Sequence, residues 1–79
     1  MAKIRVQYFA ILRERAGRAG EEIDTVAATA GALYAELEGR YSFPALRSVK
    51  VAINDEFCPW DAPLSPGDSV VFIPPVAGG

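Results

Sequence analysis

The chain has 79 residues, is half apolar, carries a net charge of −2, and contains one cysteine and no histidine. This is the composition of one folded domain, with bases scattered among acids rather than clustered for nucleic acid. The missing histidine removes Ser-His and Cys-His nucleophile schemes and the commonest metal ligand, and a lone cysteine makes no internal disulfide, iron–sulfur or structural zinc site.

From the N-terminus, Lys3-Ile4-Arg5-Val6-Gln7-Tyr8-Phe9 alternates, with Ile4, Val6 and Tyr8 on one face. Period two predicts a half-buried strand, and Phe9 is an aromatic on its charged face. Ala10 to Ala16 reads as a short helix closed by Gly17. Glu21 to Val26 reads as a polar edge strand, whose acids Glu21, Glu22 and Asp24 resist edge-to-edge pairing.

Thr29 is positioned to cap a longer helix from Ala30 to about Tyr41. Ala30, Leu33, Tyr34, Leu37 and Tyr41 form one apolar stripe, and Ser42-Phe43-Pro44 ends the helix. Val49 to Ile53 is a third strand with Val49, Val51 and Ile53 inward, followed by a turn at Asn54-Asp55-Glu56. Phe57 to Trp60 pairs back briefly, and Leu64-Ser65-Pro66-Gly67-Asp68 is a second turn. Ser69 to Ile73 is the last strand, stopped by Pro74-Pro75. The order predicts an α+β fold, a mixed sheet with one long helix packed across it, over residues 1–73. Residues 74–79 are expected to form a flexible tail ending in Gly78-Gly79.

That tail is the one feature folding does not explain. Gly-Gly has no side chains, so it can enter a narrow slot and adopt backbone angles closed to other residues. The six residues from Pro74 to Gly79 can extend about 20 Å from the fold. A free carboxylate is a poor electrophile, because its charge repels nucleophiles and oxide leaves badly. Adenylation supplies a leaving group, and a sulfur nucleophile replacing AMP leaves a thiocarboxylate. None of this needs a catalytic side chain on the carrier.

The segments Val6-Gln7-Tyr8-Phe9-Ala10-Ile11-Leu12-Arg13-Glu14, Val51-Ala52-Ile53-Asn54, Leu64-Ser65-Pro66-Gly67-Asp68 and Val70-Val71-Phe72-Ile73-Pro74-Pro75-Val76-Ala77-Gly78-Gly79 together resemble the small subunit of molybdopterin synthase, the MoaD family of ubiquitin-like β-grasp sulfur carriers. The resemblance spans essentially the whole chain. It implies that Gly79 is adenylated by an E1-like (MoeB-like) activating enzyme using ATP and magnesium. A sulfur donor protein, a cysteine desulfurase or rhodanese type, then converts it to a thiocarboxylate. The tail would insert into a MoaE-like large subunit that holds the catalytic residues, in a heterotetramer of two small and two large subunits. Sulfur passes there to cyclic pyranopterin monophosphate, and two transfers build the dithiolene of molybdopterin. The chain itself is then a carrier that binds no cofactor or metal.

Partner contacts are expected from Phe9, Arg13, Phe57 and Ile73, an apolar patch with one base, and from Pro74, Pro75, Val76 and Ala77 along the tail. Trp60 is expected to cap the core, and Cys58 to be a packed or idle thiol, since no histidine or second cysteine activates it. No segment has the ~20 apolar residues of a membrane span or the form of a signal peptide, so a cytoplasmic location is expected, away from membranes. Three other readings fit the tail: a β-grasp sulfur carrier for thiamine, a thio-amino acid or tRNA thiolation; a ubiquitin-like modifier joined to lysines through Gly79; or an interaction domain whose tail is idle.

Overall fold

Strict alternation makes the first element. In β1 (Ala2–Tyr8), Ile4, Val6 and Tyr8 are buried while Lys3, Arg5 and Gln7 are exposed. The computed structural model describes residues 2–45 and 48–74. Expectations placed on Pro75, Val76, Ala77, Gly78 and Gly79 lie outside the described residues.

Beyond β1 the chain turns sharply. Phe9 is extended, and Ala10 takes a left-handed φ of 51°, which swings the backbone off the sheet into α1 (Ala10–Ala16). Leu12 pins this short helix to the core. Gly17, at φ 74°, closes it, its amide donating to the Arg13 carbonyl at 3.0 Å. β2 (Gly20–Thr25) returns antiparallel to β1. A Cβ at Gly20 would sit 2.8 Å from the Val6 carbonyl oxygen, so that close approach needs glycine. The strand ends one residue before Val26. The Thr25 hydroxyl donates to Glu36 Oε1 at 2.7 Å and accepts the Ala27 amide at 3.0 Å, leaving Val26 exposed.

α2 (Ala30–Tyr41) begins where expected, with Thr29 Oγ1 accepting the Ala32 amide at 3.2 Å. Two more amides of its first turn have partners in a loop: Ala30 donates to the Ala62 carbonyl and Gly31 to that of Trp60. Ala30, Leu33, Tyr34 and Leu37 are buried as one stripe, and Tyr41 packs at its margin. Ser42, at φ 60°, caps the helix and sends Phe43 back into the core, where its ring stacks on Tyr34 at 5.8 Å.

β3 (Lys50–Ile53), β4 (Glu56–Cys58) and β5 (Ser69–Ile73) complete a five-stranded sheet in the order β2-β1-β5-β3-β4. β5 runs parallel to β1, with Tyr8 beside Phe72, and antiparallel to β3, with Lys50 beside Ile73. β2 is an edge, as its acids suggested. Both helices pack on the face that carries Ile4, Val6, Tyr8, Val51, Val70 and Phe72. This is the expected α+β arrangement of a mixed sheet under one long helix. Trp60 caps the core by stacking on Phe72 at 5.9 Å.

The β3–β4 hairpin turns on Asn54 and Asp55, both left-handed at φ 51° and 71°. Two such residues are the signature of the two-residue turn that favours Asn-Gly. Asn54 is held further, since its Nδ2 donates to Asp68 Oδ1 and its Oδ1 accepts the Ser69 amide, each at 3.0 Å. Asp55 has no comparable hold among the described hydrogen bonds. Asp55→Gly is therefore expected to raise stability by about 0.5–1 kcal/mol, read as a higher denaturation midpoint at unchanged slope.

Candidate functional site

The sheet face opposite the helices carries the open apolar surface. Register sets its layout. Phe57 lies across from Ala52, Ala52 from Val71, and Val71 from Gln7, so these four form one row across four strands. One step along, Phe9 follows Tyr8 and Ile73 follows Phe72 in the parallel pair, which brings their positions alongside each other next to Lys50. Phe57 is 71% exposed and Phe9 47%, while Ile73 and Val71 are half-buried and Ala52, between Phe57 and Val71, is buried. Large apolar side chains left this open in one place mark an interaction surface.

Of the residues singled out from sequence, Phe9, Phe57 and Ile73 therefore fall on one face. Arg13 is exposed on α1 and lines a groove of about 550 Å³ with Phe9, Gln7, Gly20 and Glu22, beside that patch. Pro74 does not join the open surface. It is buried in the chain's own fold, so its expected partner contact is corrected to a role in ending β5. Val71 and Ala52 were not singled out. Their signal was present, because a strand apolar at every position, as Val70-Val71-Phe72-Ile73 is, has both faces apolar.

A second cluster lies on the helix side. Glu21 Oε2 accepts hydrogen bonds from the Tyr8 hydroxyl at 2.6 Å and the Tyr41 hydroxyl at 2.7 Å, and Oε1 pairs with Arg18 at 3.3 Å. Burial resists ionisation of Glu21, but the two phenol hydrogen bonds and the charges of Arg18 and Arg40 outweigh it and lower its pKa. Tyr8 and Tyr41 are pushed up, first by burial and then by the Glu21 hydrogen bond. Tyr34, whose hydroxyl donates to the Pro44 carbonyl at 2.7 Å, is pushed up to about 12 by burial and the Glu38 charge. All these protons are held rather than offered, so the cluster is a clamp joining β1, β2 and α2.

Burial also pushes the Cys58 thiol up, leaving it less thiolate than a free cysteine. Among the described residues no group of three or more His, Cys, Asp or Glu side chains is placed to hold a metal ion, and no helix is long and apolar enough to cross a membrane.

Comparison with known proteins agrees in one direction. The model of the ThiS family matches residues 6–79. A molybdopterin synthase sulfur carrier subunit from Mycobacterium tuberculosis is 38% identical, with 100% of each chain covered. A putative molybdopterin converting factor subunit 1 from Pyrococcus furiosus superposes with a TM-score of 0.80 at 31% identity, covering 96% of this chain and 100% of the other. A chain from the protein–protein complex of subunits 1 and 2 of the molybdopterin-converting factor of Helicobacter pylori matches with a TM-score of 0.68 at 25% identity, covering 98% of this chain and 99% of that one.

Proposed function

The chain belongs to the ThiS family and, within it, to the sulfur carrier subunits of molybdopterin synthase, and from that premise we propose that the Gly79 carboxyl is its working group. The supporting observation is that the family match runs through Gly78-Gly79 to the last residue. β5 ends at Ile73, and the residues from Pro74 to Gly79 can span about 20 Å. An E1-like enzyme adenylates Gly79 with ATP and magnesium: a carboxylate oxygen takes AMP from ATP and pyrophosphate leaves. The persulfide of a donor protein then displaces AMP to give an acyl disulfide, and a thiol cleaves its S–S bond, leaving the thiocarboxylate and a new disulfide. In the large subunit the thiocarboxylate sulfur attacks cyclic pyranopterin monophosphate, and water hydrolyses the resulting acyl–sulfur bond, so that the sulfur stays on the pterin and the carrier leaves as the carboxylate. Catalytic side chains belong to those partners. This chain contributes the electrophilic carbon, the reach, and Gly78, which lets the end enter a narrow channel.

Intact-mass measurement tests this. Incubation with the activating enzyme, ATP and a sulfur source is expected to add the mass of one oxygen exchanged for sulfur, located at Gly79. An unchanged mass with a competent enzyme would sink the reading.

The outer-face patch would seat the partners, with Arg13 beside it to meet an acid. Phe57→Ser is expected to weaken binding to the large subunit about 10–30-fold. Because Phe57 is exposed, stability should change by less than about 0.5 kcal/mol. Titration calorimetry with unchanged affinity would remove Phe57 from the interface.

A further inference from the structure

Among the described residues Ala10, Gly17, Ser42, Asn54, Asp55 and Gly67 take a left-handed backbone. Glycine enters that region freely, and Asn and Asp offset its cost by hydrogen-bonding locally. Ala10, at φ 51°, is the one apolar side chain among them and has neither means. It is exposed, so packing does not select its small side chain. Glycine would relieve the strain, yet alanine stands there.

Two anchors hold Ala10 in this conformation. Upstream, β1 is paired on both sides as far as Tyr8, which lies beside Phe72 and whose amide donates to the Ala19 carbonyl at 2.9 Å. Downstream, Leu12 is fully buried. Between them the amides of Leu12 and Arg13 close back on the Phe9 carbonyl at 3.0 and 3.4 Å. Phe9 is thereby tied to the first turn of α1. It stays on the outer face, and Arg13 comes round to line the same groove.

Given the reading above that the outer patch seats the large subunit, we infer that Ala10 is a positioning residue for docking, whose strained left-handed step holds Phe9 and Arg13 in the one arrangement the partner meets. Glycine at this position would admit φ of either sign and let the pair drift. Alanine, forced by its anchors into the narrow left-handed well, does not. Groups already in their bound arrangement lose less freedom on binding, so strain held in the fold appears as affinity.

The test compares the affinity of the native chain for the large subunit with that of Ala10→Gly, of a chain with D-alanine at position 10, and of Phe9→Ala, by titration calorimetry. The D-alanine chain is assembled from two synthetic pieces joined at Cys58, the single cysteine. D-alanine favours positive φ by mirror symmetry, so it removes the strain and keeps the step. Glycine and D-alanine should both raise Tm. Glycine alone should weaken binding, by about threefold, as when one conformer in three is competent to bind. It alone should also speed amide exchange at Leu12 and Arg13. In a Phe9→Ala background glycine should lose most of its effect on affinity, whereas in a Phe57→Ser background it should keep it. A role confined to folding would move Tm and leave affinity alone. Glycine and D-alanine binding as tightly as the native chain, with Phe9→Ala weaker, would therefore overturn the inference and leave the docking reading standing. Native affinity in both Phe9→Ala and Phe57→Ser would remove the docking reading and this inference with it.

Discussion

Deleting Gly79 alone is expected to abolish thiocarboxylate formation and leave stability unchanged. β5 ends at Ile73, six residues before the terminus, so the deletion touches no element of the sheet. It draws the terminal carboxyl back by about 3.5 Å. A misplacement of only 1 Å at a reacting centre can cost about 100-fold, so the loss here should exceed about 100-fold. Gly78→Val should act through a different route. It preserves the length and places a branched side chain where a narrow channel would admit only backbone. Intact mass after activation reads the first effect, and thermal unfolding of the same samples confirms the intact fold. A shortened chain that gained sulfur at the full-length rate would show that the position of the terminal carboxyl does not matter, and the carrier reading would fall.

The fold was largely legible where the information is local. Ile4, Val6 and Tyr8 alternate, and the Ala30–Tyr41 stripe repeats at helical spacing, so both elements can be read from short windows. Thr29 and Gly17 mark helix ends by local chemistry. Strand order was not legible from the residues alone. That β5 lies between β1 and β3, parallel to one and antiparallel to the other, depends on long-range pairing that periodicity does not encode. Phe43 was read only as part of a helix stop, because its burial depends on the left-handed turn at Ser42.

The site divides the same way. Phe9 stood out because it breaks the alternation of β1, and its exposure follows from the left-handed step at Ala10 that aims the chain away. Val71 joins the patch, and Ala52 lies buried beside Phe57, only through cross-strand register, which a linear reading does not supply. The Glu21 clamp left no trace, since its partners are 13 and 20 residues away and Glu21 reads simply as an edge acid. Its placement inside that edge decides its role.

Glu21 is accordingly expected to be the single most destabilising polar position. Its side chain is only 11% exposed, and Tyr8, which donates to it, is 1% exposed. Glu21→Ala would leave the Tyr8 hydroxyl buried without an acceptor, a cost of about 2–3 kcal/mol. For a domain of this size that corresponds to a fall in Tm of roughly 10–20 °C. A double-mutant cycle isolates the cause. Tyr8→Phe removes the stranded donor, so Tyr8→Phe with Glu21→Ala should be less destabilised than the sum of the singles by about 1 kcal/mol or more. Strict additivity would mean that the hydrogen bond is not what Glu21 supplies. Acid titration gives an independent reading. The folded pKa of Glu21 is depressed, so the unfolded chain binds the proton first as pH falls. The stabilisation is complete above the ordinary glutamate range and is lost as pH drops through the folded value. Glu21→Gln should flatten that acid limb specifically. At the alkaline end the sign reverses, because the Tyr8 and Tyr41 pKa values are raised in the fold. Their contribution is complete below the ordinary phenol range and declines as pH rises beyond it, and Tyr34, raised by burial, acts in the same sense.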